Sequence, residues 1–152
     1  MDTIPDGNGY AQWFLLFVAL FWVGSVSLMS LTGGWHRLAS RFRDSAAAQG
    51  ETLPFVSMYL RTGGLPVGYR GCVNVTITPR GMRLSILILF RLLHPPMFIP
   101  WTAVESVRPE DFGSLRYIAV VIRGSPTRLL FTEAVGRKVQ EAFEARYSTM
   151  TA

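Results

Sequence analysis

The sequence predicts a membrane-anchored α+β protein: one N-terminal transmembrane helix, then a small antiparallel β-barrel or sheet closed by a C-terminal amphipathic helix. Three observations carry this. No charged residue occurs from Tyr10 to Trp35. From Cys72 onward apolar residues recur at every second position, the period of a strand. After Thr132 the spacing changes to that of a helix. The chain divides into an outer tail over 1–9, the span and its interface over 10–35, a basic juxtamembrane helix and linker over 36–54, and a β domain with its terminal helix over 55–152.

The run WFLLFVALFWVGSVSLMSL, Trp13 to Leu31, is 19 residues long, close to the ~20 apolar residues a bilayer core requires. Tyr10, Trp13 and Trp35 stand near its two ends, where interfacial aromatics are expected. All fifteen Lys and Arg residues follow the span, and Asp2 and Asp6 precede it. Arg37, Arg41 and Arg43 are the nearest charges. The positive-inside bias then puts the N-terminus outside and the rest of the chain in the cytoplasm. A cleaved signal peptide wants a basic start and a shorter apolar core, and neither is present.

Gly33-Gly34 breaks the span. Trp35, Leu38, Ala39 and Phe42 then share one helical face, with His36, Arg37, Arg41 and Arg43 mostly elsewhere around the helix. A short basic amphipathic helix at this place predicts membrane-surface contact through Trp35, Arg37, Arg41 and Arg43, with the aromatics among the headgroups. The other reading is a plain continuation of the span with the arginines as its stop signal. Residues 44–54 read as a linker, 55–60 as a short strand or a helical turn, and 62–71 as a Gly- and Pro-rich loop.

VNVTIT (73–78) alternates cleanly and predicts a half-buried strand. Pro79-Arg80-Gly81 is a turn. Met82 to Arg91 reads as the next strand, apolar on both faces in its second half. Only seven residues separate Arg83 from Arg91, far too few for a second membrane helix. His94-Pro95-Pro96 is a connection, and MFIPWTAVESV (97–107) a strand with an edge or a bulge at Pro100. Trp101 is expected in the core. RPEDFG (108–113) reads as a loop, 115–124 and 127–132 as strands, and 133–147 as a helix whose Val135, Val139, Ala142 and Phe143 face the sheet.

About five strands and one closing helix, with VTITPRGMRLS followed by FRLLHPPMFIPWTAVESV, resemble the bacterial pleckstrin-homology-like (PH-like) and GRAM-like small barrels over residues 72–147. In those barrels the last helix plugs one open end. GGWHRLAS and FRLLHPPMFIPW also resemble small bacterial membrane proteins, a group that implies no activity of its own. The resemblance implies a PH-like domain on a single-pass anchor of a bacterial inner membrane. The lipid-binding variety carries a basic cluster in its first strand–loop–strand, and here that turn holds Arg80 and Arg83.

No motif for catalysis, for a metal or for a phosphate-cradling loop occurs, so no enzymatic activity and no cofactor is expected. Cys72 is the single cysteine. Arg80, Arg83, His94 and Trp101 are the candidate ligand or partner contacts. Two classes of function follow. One is a non-enzymatic membrane-tethered binding or scaffolding module, whose partner is a protein or an anionic lipid headgroup. The other is a small accessory subunit of a membrane complex, packing on partner spans through Gly24, Ser25, Ser27 and Ser30. Scattered arginines without a stacking stripe argue against nucleic acid.

Overall fold

The first helix, α1 (Asn8–Gly33), has 26 residues, and its Gly9–Gly33 stretch is long and apolar enough to cross a membrane. The computed structural model describes residues 8–44, 49–91 and 94–150. Most of the outer tail, and residues 45–48 of the expected linker, lie outside that description. Gly34 ends the helix at φ 83°, a left-handed conformation that costs a residue without Cβ little. A side chain there would also press on the Thr62 and Thr127 hydroxyls. The chain then restarts as α2 (Trp35–Phe42).

Seven strands follow: β1 (Glu51–Thr62), β2 (Val67–Thr78), β3 (Gly81–Ile86), β4 (Met97–Pro100), β5 (Val104–Phe112), β6 (Leu115–Ile122) and β7 (Thr127–Thr132), before helix α3 (Glu133–Met150). They form one curled sheet in the order β4-β3-β2-β1-β7-β6-β5, antiparallel throughout. The α+β class and the antiparallel sheet with a C-terminal helix are as the sequence predicts.

Several boundaries differ, each for a local reason. Strand β1 starts at Glu51, inside the expected linker, because a shift of register between Leu53 and Val56 accommodates Pro54, which has no N–H to donate. Phe55 takes φ 54° there, and its N–H is held by Asn74 Oδ1 at 3.2 Å. The glycine-rich segment 67–71 is strand, not loop. Gly68 lies under the Tyr59 ring, so that an added Cβ would come within 2.8 Å of it. Strand β5 runs through Pro109 to Phe112 where a loop is expected. It is an edge strand, and proline and charge are tolerated on an open edge. Pro100 closes the other edge strand, β4. The strand expected over 82–91 stops at Ile86, and Ile88–Phe90 form a single 3-10 turn.

The core lies inside the curl. Met82, Leu84, Met97, Ile99, Leu129 and Phe131 are fully buried, and α3 closes it with Val139 and Phe143. The correction of most consequence concerns α2. Trp35, Leu38 and Ala39 are at most 1% exposed and belong to this core. The amphipathic face is present as expected, but it packs on the sheet and not among lipid headgroups. After α2, Arg43 bridges to Met97 and the Asp44 N–H reaches Pro96 O at 3.2 Å, so the β4 edge is partly covered.

Candidate functional site

The eight residues singled out from the sequence fall in three places. Arg80 and Trp101 come together at the corner where the β2–β3 turn meets the link from β4 to β5. The turn is fixed by Thr78, whose hydroxyl accepts from the Arg80 and Gly81 N–H groups at 3.3 and 3.1 Å and donates to Gly81 O at 2.8 Å. The corner is tied to it twice. The Trp101 backbone N–H donates to Arg80 O at 3.0 Å, and the Trp101 indole N–H donates to Thr78 O at 3.0 Å. The ring is 1% exposed and meets Phe143 of α3 edge-on at 6.1 Å.

Outside this anchor lies an open cleft of about 400 Å³, lined by Arg80, Phe98, Trp101, Thr102 and Arg146 among others. Its lining combines two aromatic side chains with two guanidinium groups and a hydroxyl. Guanidinium forks match carboxylate and phosphate oxygens, so this arrangement suits an anionic group with an apolar neighbour. Arg83 is opposite Phe98 in the ladder and shares its face. Its Nε is buried without a hydrogen bond among the described residues. Phe98, Thr102 and Arg146 are the cleft residues that the sequence reading omitted. Arg146 follows Phe143 by one helical turn, a spacing that places both toward the corner. Arg61 and Arg128 lie elsewhere and both bond Glu110, at 3.1 and 3.2 Å.

His94 is elsewhere, at the junction between α1 and the sheet. It is 2% exposed, and its Nε2 lies 3.2 Å from the Tyr69 hydroxyl. That hydroxyl also donates to Met29 O of α1 at 3.2 Å. Trp35 packs on both rings at 5.3 and 5.5 Å, and its indole N–H donates to Pro95 O at 3.1 Å. The corner His94-Pro95-Pro96, with His94 buried and the prolines half-buried, is therefore a joint between α1 and the sheet. A cavity of about 180 Å³ remains beside it, between Val26, Met29, Tyr69, Cys72, Phe90 and His94.

Burial, and secondarily the neighbouring Cys72, push the Tyr69 phenol well above its ordinary 10.0. Burial also raises the Cys72 thiol, against a smaller opposing effect of a backbone hydrogen bond. Such a thiol is a poor nucleophile. Because the folded state holds the Tyr69 proton more tightly than the unfolded chain does, stability is complete below about pH 10 and falls above it, by about 1.4 kcal/mol per pH unit. Melting curves of the wild type and of Tyr69→Phe, taken across that range, should differ in this alkaline slope. Equal slopes would show that the phenol is not held in its neutral form.

Of the membrane-surface candidates, Trp35 is buried as described. Arg41 is exposed but occupied: it donates to Arg123 O at 3.0 Å and lies 5.1 Å from the Phe42 ring centroid. Arg37 and Arg43 are exposed. Among the described residues no three His, Cys, Asp or Glu side chains converge as a metal site would require. Neither a scan against protein-family models nor a search of curated proteins finds a match to this chain.

Proposed function

We propose that this is a single-pass membrane protein whose PH-like half-barrel serves as a non-enzymatic binding module on the cytoplasmic side of a bacterial inner membrane. The sheet order and the closure of Trp101 by α3 support the PH-like reading. The orientation rests on the fifteen Lys and Arg residues that follow α1 and the acidic residues that precede it. The observation that carries the binding role is the cleft at the β2–β3 turn, lined by Arg80 and Arg146 together with Phe98 and Trp101. Its ligand is an anionic group, borne by a lipid headgroup or by an acidic segment of a partner protein.

The test uses the full chain in nanodiscs of neutral lipid. Glycerophosphate, inositol phosphates and an acidic peptide are titrated in at low and high salt, and binding is read by calorimetry. Salt-sensitive binding that Arg80→Glu and Arg146→Glu each abolish, with the melting temperature unchanged, is the expected result. Binding that both variants retain would remove the cleft from the function. No binding of any probe would favour the accessory-subunit reading, for which Gly24 and Ser25 are exposed on α1, while Ser27 is half-buried and Ser30 fully buried.

A further inference from the structure

We infer that the apolar 3-10 turn at Ile88–Phe90 is a second membrane contact, a wedge that enters the bilayer beside α1. The inference rests on the reading that α1 spans a membrane, and it adds an insertion that the sequence reading did not contain.

The position of the turn along the helix carries the argument. The Phe90 ring lies 6.1 Å from that of Trp22. Trp22 precedes Gly33 by eleven residues, which is about 16 Å of helix. The candidate span Gly9–Gly33 has 25 residues, or about 37 Å against a hydrocarbon core of about 30 Å. Centred in that core, it would place Trp22 near the bilayer midplane with Phe90 beside it, which is the deep limit. Suppose instead that the bilayer were shifted until Phe90 and Trp22 stood at its surface. Only Gly9 to Phe21 would then remain inside, about 20 Å of helix, a third too short. Part of the turn therefore lies within the hydrocarbon in any placement that lets α1 cross it.

The turn is built for that environment. Leu87 to Phe90 is uncharged, and Ile88 is 78% exposed, with none of the described residues covering it. Apolar side chains this exposed, next to an apolar helix, match lipid better than water. Backbone groups at such depth must be satisfied within the protein. Here the Leu87 N–H bonds Cys72 O at 3.0 Å, Phe90 N–H bonds Leu87 O at 2.9 Å, and Arg91 N–H bonds Ile88 O at 3.2 Å. Arg70 and Arg91 flank the turn, both exposed, so the turn enters only the outer part of the hydrocarbon, at a depth from which their stems carry the charge to the headgroups. The Tyr69 hydroxyl meets α1 at Met29, one turn above Gly33, where an interfacial phenol belongs.

The experiment places a fluorescent NBD label at a single cysteine of the full chain, reconstituted in liposomes, in a Cys72→Ala background. Three sites are compared: Ile88→Cys in the turn, Phe17→Cys within α1, and Glu141→Cys on the exposed side of α3. Lipids brominated at mid-chain quench from within the bilayer, and iodide quenches from the water. The expected result is loss of emission to brominated lipid at both Ile88 and Phe17, with Glu141 quenched by iodide alone. If Phe17 is quenched by brominated lipid while Ile88 responds only to iodide, the wedge is wrong and the span stands. If neither site meets brominated lipid, the spanning reading fails and the wedge fails with it. Ile88 supports no core packing, so its label leaves the fold intact, and circular dichroism of the Cys72→Ala parent checks the background.

Discussion

A fragment that begins at Gly50 is expected to remain largely unfolded, while one that begins at Gly34 folds under the same conditions. The division between anchor and domain that the sequence suggests places the cut in the linker and discards α2. In the structure, α2 contributes Trp35, Leu38 and Ala39 to the core, each at most 1% exposed. Truncating a buried Trp costs about 3–5 kcal/mol and a buried Leu about 2–5 kcal/mol. Together they approach the whole stability of an ordinary domain, about 5–15 kcal/mol. The cut also removes the indole donor from Pro95 O and uncovers the β4 edge that Arg43 and Asp44 occupy. Circular dichroism and thermal melting of the two fragments decide the matter. A cooperative melt of the shorter fragment at the temperature of the longer one would show that α2 is peripheral. Within the longer fragment, Trp35→Ala alone should lower the melting temperature by about 15 °C or more.

The same helix shows how far the sequence could be read. The spacing of Trp35, Leu38, Ala39 and Phe42 identifies a helix with one apolar face, and that is what forms. Periodicity says which face is apolar but not what it meets. A membrane surface and a sheet call for the same pattern, and the arginines on the other face suit either. Strands 73–78, 115–122 and 127–132 were legible because alternation is a property of the strand itself. The failures share one cause. Proline and glycine at 54, 68 and 109 read as punctuation, yet each sits where the sheet has a bulge, an overlying aromatic ring or an open edge. Such places exist only once the strands have paired. The run 87–90 misled in the opposite sense. Its composition suits a strand, but its partner is α1, and no local pattern announces a neighbour more than sixty residues away. For the candidate site the outcome is similar. Arg80 and Trp101 were recognisable as a basic turn and an aromatic corner. That they adjoin one another, and that His94 belongs to a different joint, depends on register.

Trp101→Ala should destabilise the domain by about 3–5 kcal/mol, with a further loss if Thr78 O is left without a donor, which by itself costs about 1–3 kcal/mol. The indole is 1% exposed and joins three elements: it makes a T-shaped contact with Phe143 of α3, hydrogen-bonds the end of β2, and begins the link from β4 to β5. Trp101→Phe separates these contributions. It keeps most of the ring packing on Phe143 and lacks the N–H, so its loss should be near that of the hydrogen bond alone. Denaturant titration of both variants measures the difference, and the slope with denaturant shows whether the folded state stays compact. Trp101 also lines the cleft, so the two variants bear on binding as well. If Trp101→Phe loses a little stability and keeps the affinity for an anionic probe, the indole holds the corner in place and the guanidinium groups of Arg80 and Arg146 do the recognising. If stability is unchanged while the affinity disappears, the indole touches the ligand itself. The buried hydrogen bond to Thr78 O favours the first result, because a ring held that way has its polar edge already committed to the fold.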